Sequence, residues 1–190
     1  MGHVEKFSNR PAFKHVDKER VLTFLRDTGT RNVLDVGCGV GNAVASLAES
    51  GFDAFGVTID PDEIAASEVP ERLVLADIQQ AGALKKGPFD AIICFDCLEH
   101  LENPLAGLRN INSLLRPSGG AFVCYIPPEK WIECDYHVIV YTPRQMRWLL
   151  NLTGFRLCGT QGRYRYPGAN GVTYFSIKES QGQLRPGRME

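Results

Sequence analysis

Residues 33–42 read VLDVGCGVGN, an apolar run broken by one acid and followed by glycine at three alternate positions. Alternate glycines suit neither helix nor strand, because each removes a packing side chain and loosens the backbone. The stretch therefore reads as a buried strand running into a loop that needs bare backbone, with a helix over 42–50 beyond it. Glycines there permit a tight turn and close approach to a ligand, while the helix start offers free N–H groups. A purely structural turn is the alternative. The spacing is G-x-G-x-G, with Asn42 where the dinucleotide fingerprint wants glycine, and there is no G-K-[ST] ending for a nucleoside triphosphate.

Outward from this motif, strand and helix patterns alternate. DAFGVTI (53–59), RLVLAD (72–77), FDAIICFD (89–96) and AFVCYI (121–126) read as further strands, followed by FRLCG (155–159) and VTYFSIKE (172–179). Apolar residues at helical spacing predict a helix over 16–28, ended by Gly29. Others start at Asp60-Pro61, at Asn103-Pro104 and at Thr142-Pro143-Arg144-Gln145, each with a capping signal. Alternation of this kind predicts an α/β fold: a doubly wound, mainly parallel sheet with helices on both faces. Ligands in such sheets bind beyond the carboxyl ends of the strands, which places the glycine loop at the mouth.

Composition narrows the function. A chain of 190 residues with 44% hydrophobic and 23% charged residues is one ordinary globular domain. A net charge of -1 gives no reason to expect a nucleic acid partner. No apolar run reaches the roughly 18 residues of a membrane span. The first twenty residues lack the apolar core of a signal peptide, and Lys6 interrupts a myristoylation signal, so a cytoplasmic location is expected. Six cysteines spread singly read as reduced core thiols; Cys94 and Cys97 form a C-x-x-C with no second pair to complete a zinc site. Nothing here sets an oligomeric state.

Several acids stand where chemistry needs them. Asp35 lies inside an apolar strand end, where a buried carboxylate must be met by backbone donors or a cation, and an orienting role is expected. Asp60 closes the second strand; its two oxygens can accept both hydroxyls of a ribose, and it can also cap the following helix. Asp77 and Ile78 follow the third strand, where an acid can take an adenine amino group and an apolar side chain can flank the ring. A simple N-cap is the alternative for Asp77. Asp96, Glu99 and His100 crowd after the fourth strand, and His137 lies in the long non-periodic segment 127–140 after the fifth. Those two strand ends should be neighbours.

The successive motifs VLDVGCGVG, GVTID, LADI, FDAIICFDCLEHLENP and LLRPSGGAFVCYIP resemble those of class I S-adenosylmethionine-dependent methyltransferases, over about residues 30–177. The similarity is to the small single-domain branch with LEHL after strand four. It implies a seven-stranded sheet with its last strand antiparallel, and S-adenosyl-L-methionine (leaving as S-adenosyl-L-homocysteine) lying across strands one, two and four. Gly37, Cys38, Gly39 and Gly41 match the loop under the methionine part, with Asp35 ahead of it. Asp60 matches the ribose acid, Asp77 and Ile78 the adenine pair, and Phe95 and Asp96 the strand-four end beside the amino group and sulfonium.

A methyl on a sulfonium is already activated, so alignment of an acceptor lone pair can suffice, with a base only if the acceptor must lose a proton. The expected reaction is in-line methyl transfer to a small or terminal polar acceptor, oxygen preferred, with His100 or His137 as base and Glu99 beside them. Two other readings stand for that cluster. Asp96, Glu99, His100 and His137 resemble the cation site of small-RNA terminal 2′-O-methyltransferases, although Asp96 replaces a glutamate, the loop to His137 is short and no basic end-binding surface is evident. Alternatively, Glu99 and His100 make only internal hydrogen bonds, and no metal is bound. A non-catalytic donor-binding domain is the alternative function; Asn42 disfavours a nicotinamide oxidoreductase. Trp131, Tyr136 and Tyr141 either wall an acceptor pocket or pack their loop onto the sheet. The expected organisation is an N-terminal segment, 1–29, in which Phe7, Phe13 and His15 could form a lid, a donor-binding domain over 30–178, and a loose tail over 179–190.

Overall fold

The computed structural model describes residues 11–80, 82, 84–128, 134–162 and 171–180. Strands β1 (Asn32–Val36), β2 (Asp53–Thr58), β3 (Leu73–Leu75), β4 (Ala91–Phe95), β5 (Ala121–Ile126), β6 (Phe155–Gln161) and β7 (Val172–Lys178) form one sheet. Their order is β3-β2-β1-β4-β5-β7-β6. The first five pair in parallel, and β7 runs antiparallel to both neighbours. The order reverses between β1 and β4, opening a crevice above their carboxyl ends.

Both faces of the sheet are covered, which is why the strands read as nearly continuous apolar runs. Helices α1 (Lys18–Asp27) and α2 (Asn42–Glu49) pack Val21, Leu22, Leu25, Val44 and Leu47 on Val33, Ile93, Val123 and Phe175. After β2 comes the short α3 (Pro61–Ala65). On the other face, α4 (Pro104–Leu114) and α5 (Pro143–Leu152) bring Leu108, Ile111, Met146 and Leu150 against Leu34, Ile92, Phe122 and Cys124. Period-two alternation sorts these sets, since successive strand residues point to opposite faces. Asn103 and Thr142 cap α4 and α5 as their side chains predict, and Thr142 forms a reciprocal capping box with Gln145.

Two of the boundaries that differ from the sequence reading have a local cause. The third strand ends at Leu75 instead of Asp77: Ala76 still donates to the Thr58 carbonyl (2.9 Å), but Asp77 then accepts the Gln79 N–H (2.9 Å) and turns the chain. A side chain that offers its own backbone a partner competes with the ladder. The fourth strand begins at Ala91, and Phe89 makes only an isolated bridge to Leu115. All six cysteines are free thiols. Among the described residues, no helix is long and apolar enough to cross a membrane.

Candidate active site

The glycine loop is built from main chain. The N–H groups of Gly37 and Cys38 both donate to the Val57 carbonyl (2.9 and 3.1 Å), pinning the loop to β2. Gly37 has φ +76°, and a Cβ on it would stand 2.6 Å from Cys97 Sγ, so this position needs glycine for conformation and for space. Gly41, at φ +86°, begins α2 without a side-chain cap. The Cys38 thiol is buried against Gly56, where an added Cβ would lie 2.6 Å from its sulfur.

Asp35 is 4% exposed, on the face that also carries Val33. Burial alone pushes its carboxyl up to about 7, so near neutrality the fold favours the protonated acid. Below about pH 4 both folded and unfolded states hold the proton and the contribution is complete. As pH rises towards 7 the unfolded chain releases it first, and stability falls by roughly 3–4 kcal/mol at most. Urea unfolding of wild type and Asp35→Asn between about pH 4 and 8 should show a steeper fall in the wild type, Glu99 contributing a fall common to both; parallel profiles would contradict the assignment.

At the end of β2, Asp60 caps α3 by accepting the Asp62 N–H (2.9 Å). Its own N–H donates to Thr58 Oγ1 (3.1 Å), and the Thr58 hydroxyl donates to the buried carboxylate of Glu63. Glu63 escaped the sequence reading except as a capping-box acid; here it anchors the turn that aims Asp60. Ile59, between them, is 73% exposed, an apolar side chain left uncovered at the mouth. Asp77 spends its carboxylate on its own turn, with Gln79 N–H and Nε2 on Oδ1, whereas Ile78 is buried beneath.

After β4 the chain is strained. Asp96, at φ +48°, is the one non-glycine residue with positive φ among the described residues, a conformation that costs free energy and concentrates at functional sites. A single 3-10 turn, Leu98–His100, follows. Glu99 is fully buried, and neither carboxylate oxygen has a hydrogen-bond partner. Burial raises its carboxyl to about 8, opposed by its own main chain and reinforced by the charge of Asp96.

The loop carrying His137 is stapled to this turn. Val138 and Ile139 both donate to the Glu99 carbonyl (2.9 and 3.1 Å), and the Tyr141 hydroxyl donates to the Leu98 carbonyl (3.2 Å). The short connection is thus sufficient: the His100 and His137 rings meet edge to face, 4.9 Å between centroids. Glu99, His100 and His137 present one potential ligand atom each, all within 4.8 Å of one another. Asp96 is not one of these three, and its charge reinforces the rise of the Glu99 carboxyl.

Tyr141 is 5% exposed and packs in the core, so it fastens the loop to the sheet; Tyr136 is 53% exposed. On the opposite face of the mouth, Phe13 meets Phe95 edge-on (5.8 Å) and His15 stacks on Tyr125 (5.6 Å), bringing the N-terminal segment over the ends of β4 and β5. Phe7, Trp131 and residues 181–190 lie outside the described residues.

A methyltransferase domain family matches residues 9–159. Ubiquinone biosynthesis O-methyltransferases of Xanthomonas axonopodis pv. citri and Vibrio campbellii are each 34% identical, over 119 and 99 residues. The matches cover 59% and 48% of this chain but 49% and 42% of those proteins, so the chain spans about half the length of these relatives or less. Among solved structures, an S-adenosylmethionine-dependent methyltransferase of Archaeoglobus fulgidus has a TM-score of 0.71 at 19% identity, covering 93% of this chain and 100% of that one. The 1,6-didemethyltoxoflavin-N1-methyltransferase of Burkholderia thailandensis, solved with 1,6-didemethyltoxoflavin and S-adenosylhomocysteine, also has a TM-score of 0.71, at 20% identity over 93% of this chain and 82% of that one. These structures share the fold, and the family match spans most of the chain: it belongs to the methyltransferase domain family.

Proposed function

We propose that this chain transfers a methyl group from S-adenosyl-L-methionine to an oxygen of a small polar acceptor held beside Glu99, His100 and His137. The observation that carries this reading is the pairing, beyond the carboxyl ends of the central strands, of the bare glycine loop with the acid–histidine cluster around the buried Glu99. The loop and the α2 N-terminus suit the donor's methionine part, since N–H groups and positive end of the helix dipole favour its carboxylate. Asp60 takes the ribose hydroxyls, and the exposed Ile59 supplies apolar surface to the adenine. Phe13 and His15 form a lid that excludes water once donor and acceptor are seated.

Chemistry at the methyl needs alignment and a route for the acceptor's proton. An imidazole within reach of the hydroxyl provides that route. The relatives named for O-methylation support oxygen as the acceptor atom.

Two experiments test this. Asp60→Asn keeps a good helix cap but loses the charge, so the donor Kd should rise roughly tenfold with little change in melting temperature. An unchanged Kd would remove Asp60 from the site. Methyl-labelled donor, incubated with the protein and fractionated host extract, should label the small-molecule fraction in a base-stable ether. Label found in RNA or protein, or released by mild base as from an ester, would refute the proposed acceptor class.

A further inference from the structure

We propose that Glu99, His100 and His137 bind one divalent transition ion of the zinc type. Two imidazoles and one carboxylate form a borderline donor set, which suits Zn²⁺, Co²⁺ or Fe²⁺ better than the all-oxygen demand of Mg²⁺ or Ca²⁺. Their potential ligand atoms lie within 4.8 Å of one another. Tetrahedral ligands on zinc stand roughly 3.4 Å apart, so side-chain rotations that draw them inwards by about an ångström close the site.

Three independent features prepare the cluster for a cation. Glu99 is 0% exposed with both oxygens unpartnered, a costly arrangement for a carboxylate that a cation would relieve. His100 Nδ1 lies 2.7 Å from the Tyr136 carbonyl. A carbonyl only accepts, so Nδ1 carries the hydrogen and Nε2 keeps its lone pair, the outer-shell arrangement that orients metal-ligating histidines. Finally, the Val138 and Ile139 N–H groups on the Glu99 carbonyl lock the two loops in register, so the ligands are set by main chain as well as by side-chain packing. Three protein ligands leave a coordination position open. On the proposed methyl-transfer reading, that position takes the acceptor oxygen, and His100 and His137 then act on its proton through the ion, as ligands, instead of as free bases; ion binding itself does not depend on that reading.

Chelator-treated full-length protein titrated with Zn²⁺ by calorimetry, and with Co²⁺ by visible absorption, gives the test. The expected result is one ion per chain at micromolar or tighter Kd, and Co²⁺ bands without cysteine-thiolate charge transfer. Glu99→Gln, His100→Ala and His137→Ala should each weaken binding by about 10- to 100-fold, while the S-adenosylmethionine Kd stays unchanged. No binding by the wild type, a thiolate signature, or equal affinity in all three variants would overturn the site. Displacement by millimolar Mg²⁺ would overturn the transition-ion assignment. Should a variant fail to fold, the wild-type stoichiometry and Co²⁺ spectrum decide. Donor binding with no metal binding would defeat this inference alone; metal binding without donor binding would defeat the methyl-transfer reading alone.

Discussion

Gly37→Ala is expected to abolish measurable S-adenosylmethionine binding and to lower the melting temperature by about 5–15 °C. Two costs combine. At φ +76° a Cβ is strained by about 1–2 kcal/mol, and it would stand 2.6 Å from Cys97 Sγ and 2.7 Å from Cys97 Cβ. Cys97 is half-buried and packed against the core, which limits its room to move. Overpacking of this kind adds roughly 1–3 kcal/mol, and for a chain of this size each kcal/mol moves the melting temperature by about 2–4 °C. Gly51→Ala supplies the control: φ is +91°, but nothing lies within 4 Å of the added Cβ. It should cost about 1 kcal/mol and leave donor binding intact. Adding Cys97→Ala to Gly37→Ala should restore part of the stability. Equal behaviour of the two glycine variants in thermal melts and donor titrations would contradict the close-packed loop.

The second large effect concerns the histidines. His100→Ala and His137→Ala should each lower the methyl-transfer rate by about 10²–10⁴-fold, the usual contribution of a positioned acid–base group. Donor affinity should remain within a factor of two or three (about 0.5 kcal/mol), because neither ring belongs to the donor cradle. His100→Ala should have a second, conformational signature: losing the bond to the Tyr136 carbonyl loosens the 134–141 loop, which hydrogen exchange at the Val138 and Ile139 amides can report. Single-turnover assays separate the two roles. Unchanged turnover and acceptor affinity in both variants would dismiss the cluster from catalysis.

Local pattern made the fold legible. Apolar runs such as 91–95 and 121–126 are buried on both faces, so sequence and environment say the same thing. Capping residues Asp60, Asn103 and Thr142 mark helix starts because their side chains meet orphan N–H groups nearby in sequence. Asp77 misled the strand boundary by forming its own turn, an interaction weighed only as a helix cap. The glycine loop was legible for a similar local reason: alternate glycines are inexplicable without close approach.

What the sequence hid is non-local. That Cys97 fills the space beside Gly37, that Glu63 holds Thr58, and that Val138 and Ile139 close on the Glu99 carbonyl all depend on loops meeting across the mouth. Such contacts leave no periodicity. The loop of 127–140 gave only residue types, so His137 could be grouped with Glu99 and His100 from neighbouring strand ends, but the main-chain bonds that bring them together could not be read. The left-handed φ of Asp96 is likewise invisible in the residue type.

The central claim is that one mouth holds a methyl donor and presents it to the acid–histidine cluster. Calorimetric titration of the protein with S-adenosylmethionine tests it most directly. One site per chain at micromolar Kd, weakened by Asp60→Asn and lost in Gly37→Ala, is the predicted result. No binding heat at millimolar donor at two temperatures would contradict it.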